Sequence, residues 1–149
     1  MKASNDPRHQ KRRMVVRQLF ALMFAPNQEV DEKTTEVLAK KDEIDALITK
    51  NAPEWPIDKL NRTDLGILRL AVYELMIEKK EPIKVIIDEA VELAKEMGSE
   101  NSPGFVNGVL GSIIKDDPRL EENEAIKDYP KPDPGTTQTD SPPEEASSN

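Results

Sequence analysis

Cysteine is absent from this chain, which excludes a disulfide framework and a thiolate zinc site and fits a reducing compartment. The one histidine, His9, leaves no material for a Ser-His-Asp triad or a histidine-built metal centre. Long apolar runs are also missing. There is neither the h-region of a signal peptide nor a stretch able to span a bilayer, so a cytoplasmic protein with no membrane partner is expected. Neither a G-x-x-x-x-G-K-[ST] loop nor a G-x-G-x-x-G turn after a strand occurs. Acidic neighbours such as Asp88 and Glu89 point in different directions from one helix and cannot converge on one cleft. No catalytic constellation, metal site or cofactor is expected.

What the chain does have is charge, unevenly placed. The net charge of −8 conceals two ends of opposite sign. Residues 116–149 hold ten Asp or Glu against three Lys or Arg, whereas residues 1–17 hold six Lys or Arg against Asp6 alone. Residues 1–10 read as a flexible basic arm, residues 11–115 as a helical domain, and residues 116–149 as a disordered acidic tail rich in Pro, Ser and Thr. The tail is expected to solubilise the chain; competition with RNA for the basic arm, as an intramolecular polyanion, is the lesser alternative.

Between these ends the periodicity is that of helices throughout. Val15, Val16, Leu19, Phe20 and Met23 recur at helical spacing over about residues 11–24, followed by a polar stretch anchored by Val37 and Leu38 and a segment turned inward by Ile44, Leu47 and Ile48. Trp55 between Pro53 and Pro56 reads as a packing plug. Residues from Thr63 or Asp64 to Lys80 form the expected central helix, apolar on two sides, with Tyr73 and Glu74 near the edges of its stripe. Residues 85–97 repeat the pattern up to Gly98, a plausible C′ glycine. Arg12 and Arg13 stand in a first turn, where the helix dipole disfavours cations by about 0.3–1 kcal/mol each, which points to another use for their charge.

The last helix carries the most specific local signal. Ser102 suits an N-cap and Pro103 the first helical position. Val106, Val109, Leu110, Ile113 and Ile114 line one side, with Phe105 at one border of that stripe and Asn107 at the other. A border ring is free to stack on a base, and single-stranded RNA is commonly gripped by Lys and Arg on its phosphates with an aromatic on a base. Asn107 reads instead as a structural hydrogen-bonder.

Five blocks carry a family resemblance: residues 13–20 (RMVVRQLF), Trp55 with Lys59 and Leu60, residues 67–75 (ILRLAVYEL), residues 88–95 (DEAVELAK) and residues 105–110 (FVNGVL). Over about residues 8–114 the chain resembles the transcription antitermination factor NusB family. The resemblance implies an all-α fold of two small packed helical bundles with about five to six helices, and no catalytic activity. It further implies binding of boxA-like single-stranded RNA together with NusE, which is also a small-subunit ribosomal protein, and entry into the transcription elongation complex to support ribosomal RNA synthesis.

On the family's pattern, Arg8, Lys11, Arg12, Asn101, Ser102 and Phe105 would form the RNA surface and Glu74 would face the protein partner. Two departures stand out. Asn101 occupies a position where some relatives carry an aspartate, and the stretch from Phe24 to Trp55 is short for the usual two helices, as if one were lost or merged. The latter leaves a homodimer built on the N-terminal bundle open. A related helical module begins certain ribosomal RNA cytosine methyltransferases, so the alternative reading is a protein-interaction module of that kind.

Overall fold

The first helix starts earlier than its apolar stripe does. In the computed structural model, which describes residues 6–122, α1 spans Pro7–Leu22. Asp6 caps it by accepting the Arg8 amide at 2.8 Å, and Pro7 supplies the first turn. Cap plus proline is the start signal expected at Ser102 and Pro103, and here it is Asp6 and Pro7 that supply it. The arm expected over residues 1–10 is therefore corrected: residues 7–10 are helix, and only 1–5 lie outside the described residues.

Both N-terminal helices are present, so none is lost or merged. α2 (Glu32–Ala39) is capped by Asp31, and α3 (Lys41–Asn51) follows after a single break at Lys40. Their brevity is offset by cross-links to neighbours. Gln18 of α1 accepts the Asp31 amide at 2.9 Å and the Thr34 hydroxyl at 2.6 Å, while Asp45 of α3 holds a fork of bonds from Arg69 at 2.8 and 2.9 Å. Val37, Ile44 and Ile48 sink into the core.

α4 (Arg62–Val72) is the central element. Asn61 caps it through the amides of Thr63 and Asp64, and every residue from Asp64 to Val72 is buried. It packs on α1, α3, α5 (Ile83–Met97) and α6 (Ser102–Ile114), while α1 also meets α2 and α3 reaches α6. Two helix groups, α1 to α3 and α5 with α6, are thus joined across α4, and Trp55 packs against the shared core as a plug. No strand occurs among the described residues, and no helix is long and apolar enough to cross a membrane.

α4 does not stop at Val72. It continues as a π turn over Tyr73–Glu78, closed by the Lys79 amide on the Glu74 carbonyl at 2.9 Å, with Lys79 in the left-handed region at φ 55°. Gly98, expected as a left-handed C′ residue, is instead extended. The reason for glycine there is space, since a Cβ would lie 2.4 Å from Ser102 Oγ and 2.9 Å from the Ala94 carbonyl oxygen.

After α6 the chain folds back. A 3₁₀ turn over Pro118–Glu122 brings Arg119 onto the Leu75 carbonyl and onto Asp117, and Leu120 packs against the core. The boundary expected at residue 116 is corrected to this extent, because Leu120 and Arg119 give the segment apolar and polar anchors. The remainder of the expected acidic tail, residues 123–149, lies outside the described residues.

Candidate nucleic-acid and partner interface

The basic start of α1 is held by carboxylates from two other elements. His9 Nδ1 lies 2.6 Å from Glu89 Oε1, and its Nε2 lies 2.8 Å from Glu96 Oε2. A ring with a carboxylate at each nitrogen needs two N–H donors, so the imidazolium is the species that satisfies both. Burial opposes that charge, yet the hydrogen bonds and charges of Glu89 and Glu96 outweigh it and raise the His9 pKa above its ordinary 6.5. Far from occupying a mobile arm, His9 is fully buried.

One turn on, Arg12 forks onto Glu74, Nε to Oε2 at 2.9 Å and Nη2 to Oε1 at 2.7 Å, with Glu89 Oε1 at 3.8 Å. Arg13 donates to Glu96 Oε1 at 3.0 and 3.3 Å. Three cations thus meet three carboxylates. Because α1 starts at Pro7, Arg12 and Arg13 lie beyond its first turn, which corrects the expectation that they oppose the helix dipole there; their charge is used on carboxylates from the π turn and α5.

Beside this network runs a groove of about 320 Å³ between the start of α1 and the end of the π turn. Arg8, Lys11, Arg12, Lys33 and Lys80 line it, together with Glu74, Glu78 and Glu81. Glu78 is taken by Lys33 at 2.9 Å and Glu74 by Arg12, whereas Arg8 and Lys11 are exposed, with only the looser pairs to Asp6 at 3.9 Å and Asp31 at 3.4 Å. Lys80 is exposed and meets no carboxylate among the described residues. The outward chemistry of the groove is cationic, suited to phosphates or other polyanions.

The second half of the expected RNA surface lies elsewhere, at the corner between α5 and α6. Asn101 is exposed there. Ser102 is buried and does not cap α6; its Oγ accepts the Ser99 amide at 2.9 Å, closing the turn behind it. Phe105 is 0% exposed, which corrects its reading as a free ring at the edge of a stripe. α6 is covered by α3, α4 and α5, so its apolar surface extends nearly all the way round. Asn107 is half-buried, and its Oδ1 finds no partner among the described residues, so the hydrogen bond expected of it is not made.

Arg8, Lys11, Arg12 and Glu74 therefore come together, while Asn101, Ser102 and Phe105 form a separate corner. Glu96, at the end of α5 that leads into this corner, is reached by both His9 and Arg13. Sequence reasoning missed His9, Lys33, Glu89, Glu96 and Lys80. The signal for three of them was present: His9, Arg12 and Arg13 share a helix face, and Glu89 and Glu96 are two turns apart on another.

Comparisons with known proteins agree with this architecture. The NusB family model matches residues 25–115. The transcription antitermination protein NusB of Chloroflexus aggregans is 51% identical over 73 residues, 48% of this chain and 49% of that protein. Its counterpart from Caldicellulosiruptor saccharolyticus is 41% identical over 98 residues, 62% of this chain and 75% of that protein. The matched stretch spans about half the length of the first of these relatives. A solved structure of T. maritima NusB is 35% identical, with a TM-score of 0.67, covering 81% of this chain and 99% of the other. A family match across most of the helical core, joined to the same fold at that identity, settles the relationship: this chain belongs to the NusB family.

Proposed function

We propose that this chain is a transcription antitermination factor without catalytic activity, which binds boxA-like single-stranded RNA together with NusE and carries both into the elongation complex in support of ribosomal RNA transcription. Relatives across the matched region are named as antitermination proteins. The observation that supports the RNA reading is the groove of about 320 Å³ at the start of α1, where Arg8, Lys11 and Lys80 are exposed. Asn101, exposed at the α5–α6 corner, adds a donor and an acceptor for a base edge. Phe105 takes no part as a stacking ring in this reading. Glu74, neutralised by Arg12, serves a protein partner by fixing the groove wall that the partner meets.

The test is a mobility shift with a boxA-like RNA, with and without NusE, over a salt series. Binding is expected to be weak alone, stronger with NusE, and to fall with salt. Single-stranded RNA loses affinity with a slope of about −0.7 per phosphate contact, so Arg8→Ala and Lys11→Ala together should flatten the slope by about 1.4. An unchanged affinity and slope in that variant would remove the groove from the RNA surface.

A further inference from the structure

We infer that the groove at the start of α1 is a docking site for the acidic segment 123–149 of the chain itself, which competes there with other polyanions. The first ground is where the described chain ends. Arg119 fixes the 3₁₀ turn to the Leu75 carbonyl, and Leu75 sits in the same π turn as Glu74 and Glu78, two residues of the groove wall. Burial raises the Asp117 carboxyl's hold on its proton, but the hydrogen bonds and charge of Arg119, with Lys79 adding to them, leave its pKa below the ordinary value.

The second ground is length and charge. Beyond Glu122 the chain runs on for 27 residues bearing six carboxylates against two lysines. At about 3.3 Å per extended residue, that length reaches about 90 Å, several times the roughly 24 Å length of α1. Arg12 and Lys33 are spent on Glu74 and Glu78, which leaves Arg8, Lys11 and Lys80 against Glu81 in the groove lining, with Asp6 3.9 Å from Arg8, Asp31 3.4 Å from Lys11 and Lys80 facing no carboxylate among the described residues. A tethered partner also acts at an effective concentration on the order of millimolar, so a weak charge-driven contact suffices to populate the docked state. No free partner has that advantage.

The docking claim stands apart from the RNA reading, and only its consequence for RNA rests on the proposed function. The experiment compares the full chain with a full-length variant carrying Glu124→Gln, Asp128→Asn, Asp133→Asn, Asp140→Asn, Glu144→Gln and Glu145→Gln. Backbone amide shifts are recorded by NMR at low salt and at about 0.5 M salt, where screening acts within a few ångströms. Docking predicts differences at Arg8, Lys11, Lys33 and Lys80 at low salt, absent at Lys41 and Lys95, and erased by salt. No difference in the groove, or a difference centred elsewhere, overturns it. In the second arm, a boxA-like RNA is expected to bind the neutralised variant about threefold more tightly or better. Groove shifts without any gain in RNA affinity would leave the docking in place and move the RNA surface away from the groove.

Discussion

Arg12 and Glu74 are locked to each other by two charge-assisted bonds, 2.9 Å from Nε and 2.7 Å from Nη2, with side chains 11% and 3% exposed. A cation expected on RNA and a carboxylate expected on a protein partner thus satisfy one another inside the fold. The pair fastens α1 to the π turn, and both proposed surfaces depend on it indirectly.

Removing one member should cost far more than removing both. Arg12→Ala strands Glu74 in a nearly dry position, a loss of about 3–5 kcal/mol, whereas Arg12→Met combined with Glu74→Leu should lose much less. Urea unfolding midpoints of the two singles and the double give the answer. Simple additivity would mean the two side chains are not energetically coupled.

His9 makes stability depend on pH with a definite sign. Because its folded pKa is raised above 6.5, its contribution is fully present below that value and is lost as pH rises through the folded pKa. The titration of the lone imidazole, followed by NMR, should fall above the ordinary range. Urea midpoints at about pH 6 and about pH 9 should drop more for the natural chain than for His9→Gln, which lacks the titrating group. Equal drops would show that other groups govern the alkaline loss.

Phe105→Ala is expected to cost about 3–5 kcal/mol, as for other buried aromatic rings, and to lower the melting temperature markedly. Any RNA defect in that variant is then a folding defect. Phe105→Leu, which keeps most of the volume, should retain both the fold and RNA binding, and its loss of RNA binding with an unchanged melting temperature would restore a direct role for the ring.

Gly98→Ala should destabilise by about 1–3 kcal/mol through overpacking, because its methyl would sit 2.4 Å from Ser102 Oγ. Because Ser102 Cβ would also lie 2.6 Å away, differential scanning calorimetry of this variant and of Gly98→Ala with Ser102→Gly separates the serine clash from that with the Ala94 carbonyl oxygen. Recovery in the double variant identifies the serine as the obstacle.

Helix content, the central place of α4 and most of the core were legible because apolar spacing at 3.6 residues reports a buried face directly. Val15, Leu19, Leu68, Ile86 and Leu110 all lie where that spacing put them. What was not legible depends on the packing of distant elements. Phe105 looked peripheral because a single stripe was drawn on a helix that three others cover. His9 looked idle because its partners, Glu89 and Glu96, lie 80 and 87 residues away. The start of α1 was legible in Asp6 and Pro7 and was overlooked in favour of the first apolar residue.

The π turn at Tyr73–Glu78 has a consequence for how this chain tolerates insertion and deletion. Its closing bond spans five residues where an α-helix spans four, so the segment holds one residue more than a regular helix needs. Deleting one residue there would let the helix close with ordinary geometry and keep its backbone bonds. Residues on either side would keep their facing, because the wider turn is what absorbs the extra residue, whereas a one-residue change elsewhere in α4 would rotate everything beyond it by about 100°. The π turn is therefore the point of this helix where loss of one residue beyond Leu75 would leave the Arg12–Glu74 pair and the Arg119 anchor in place.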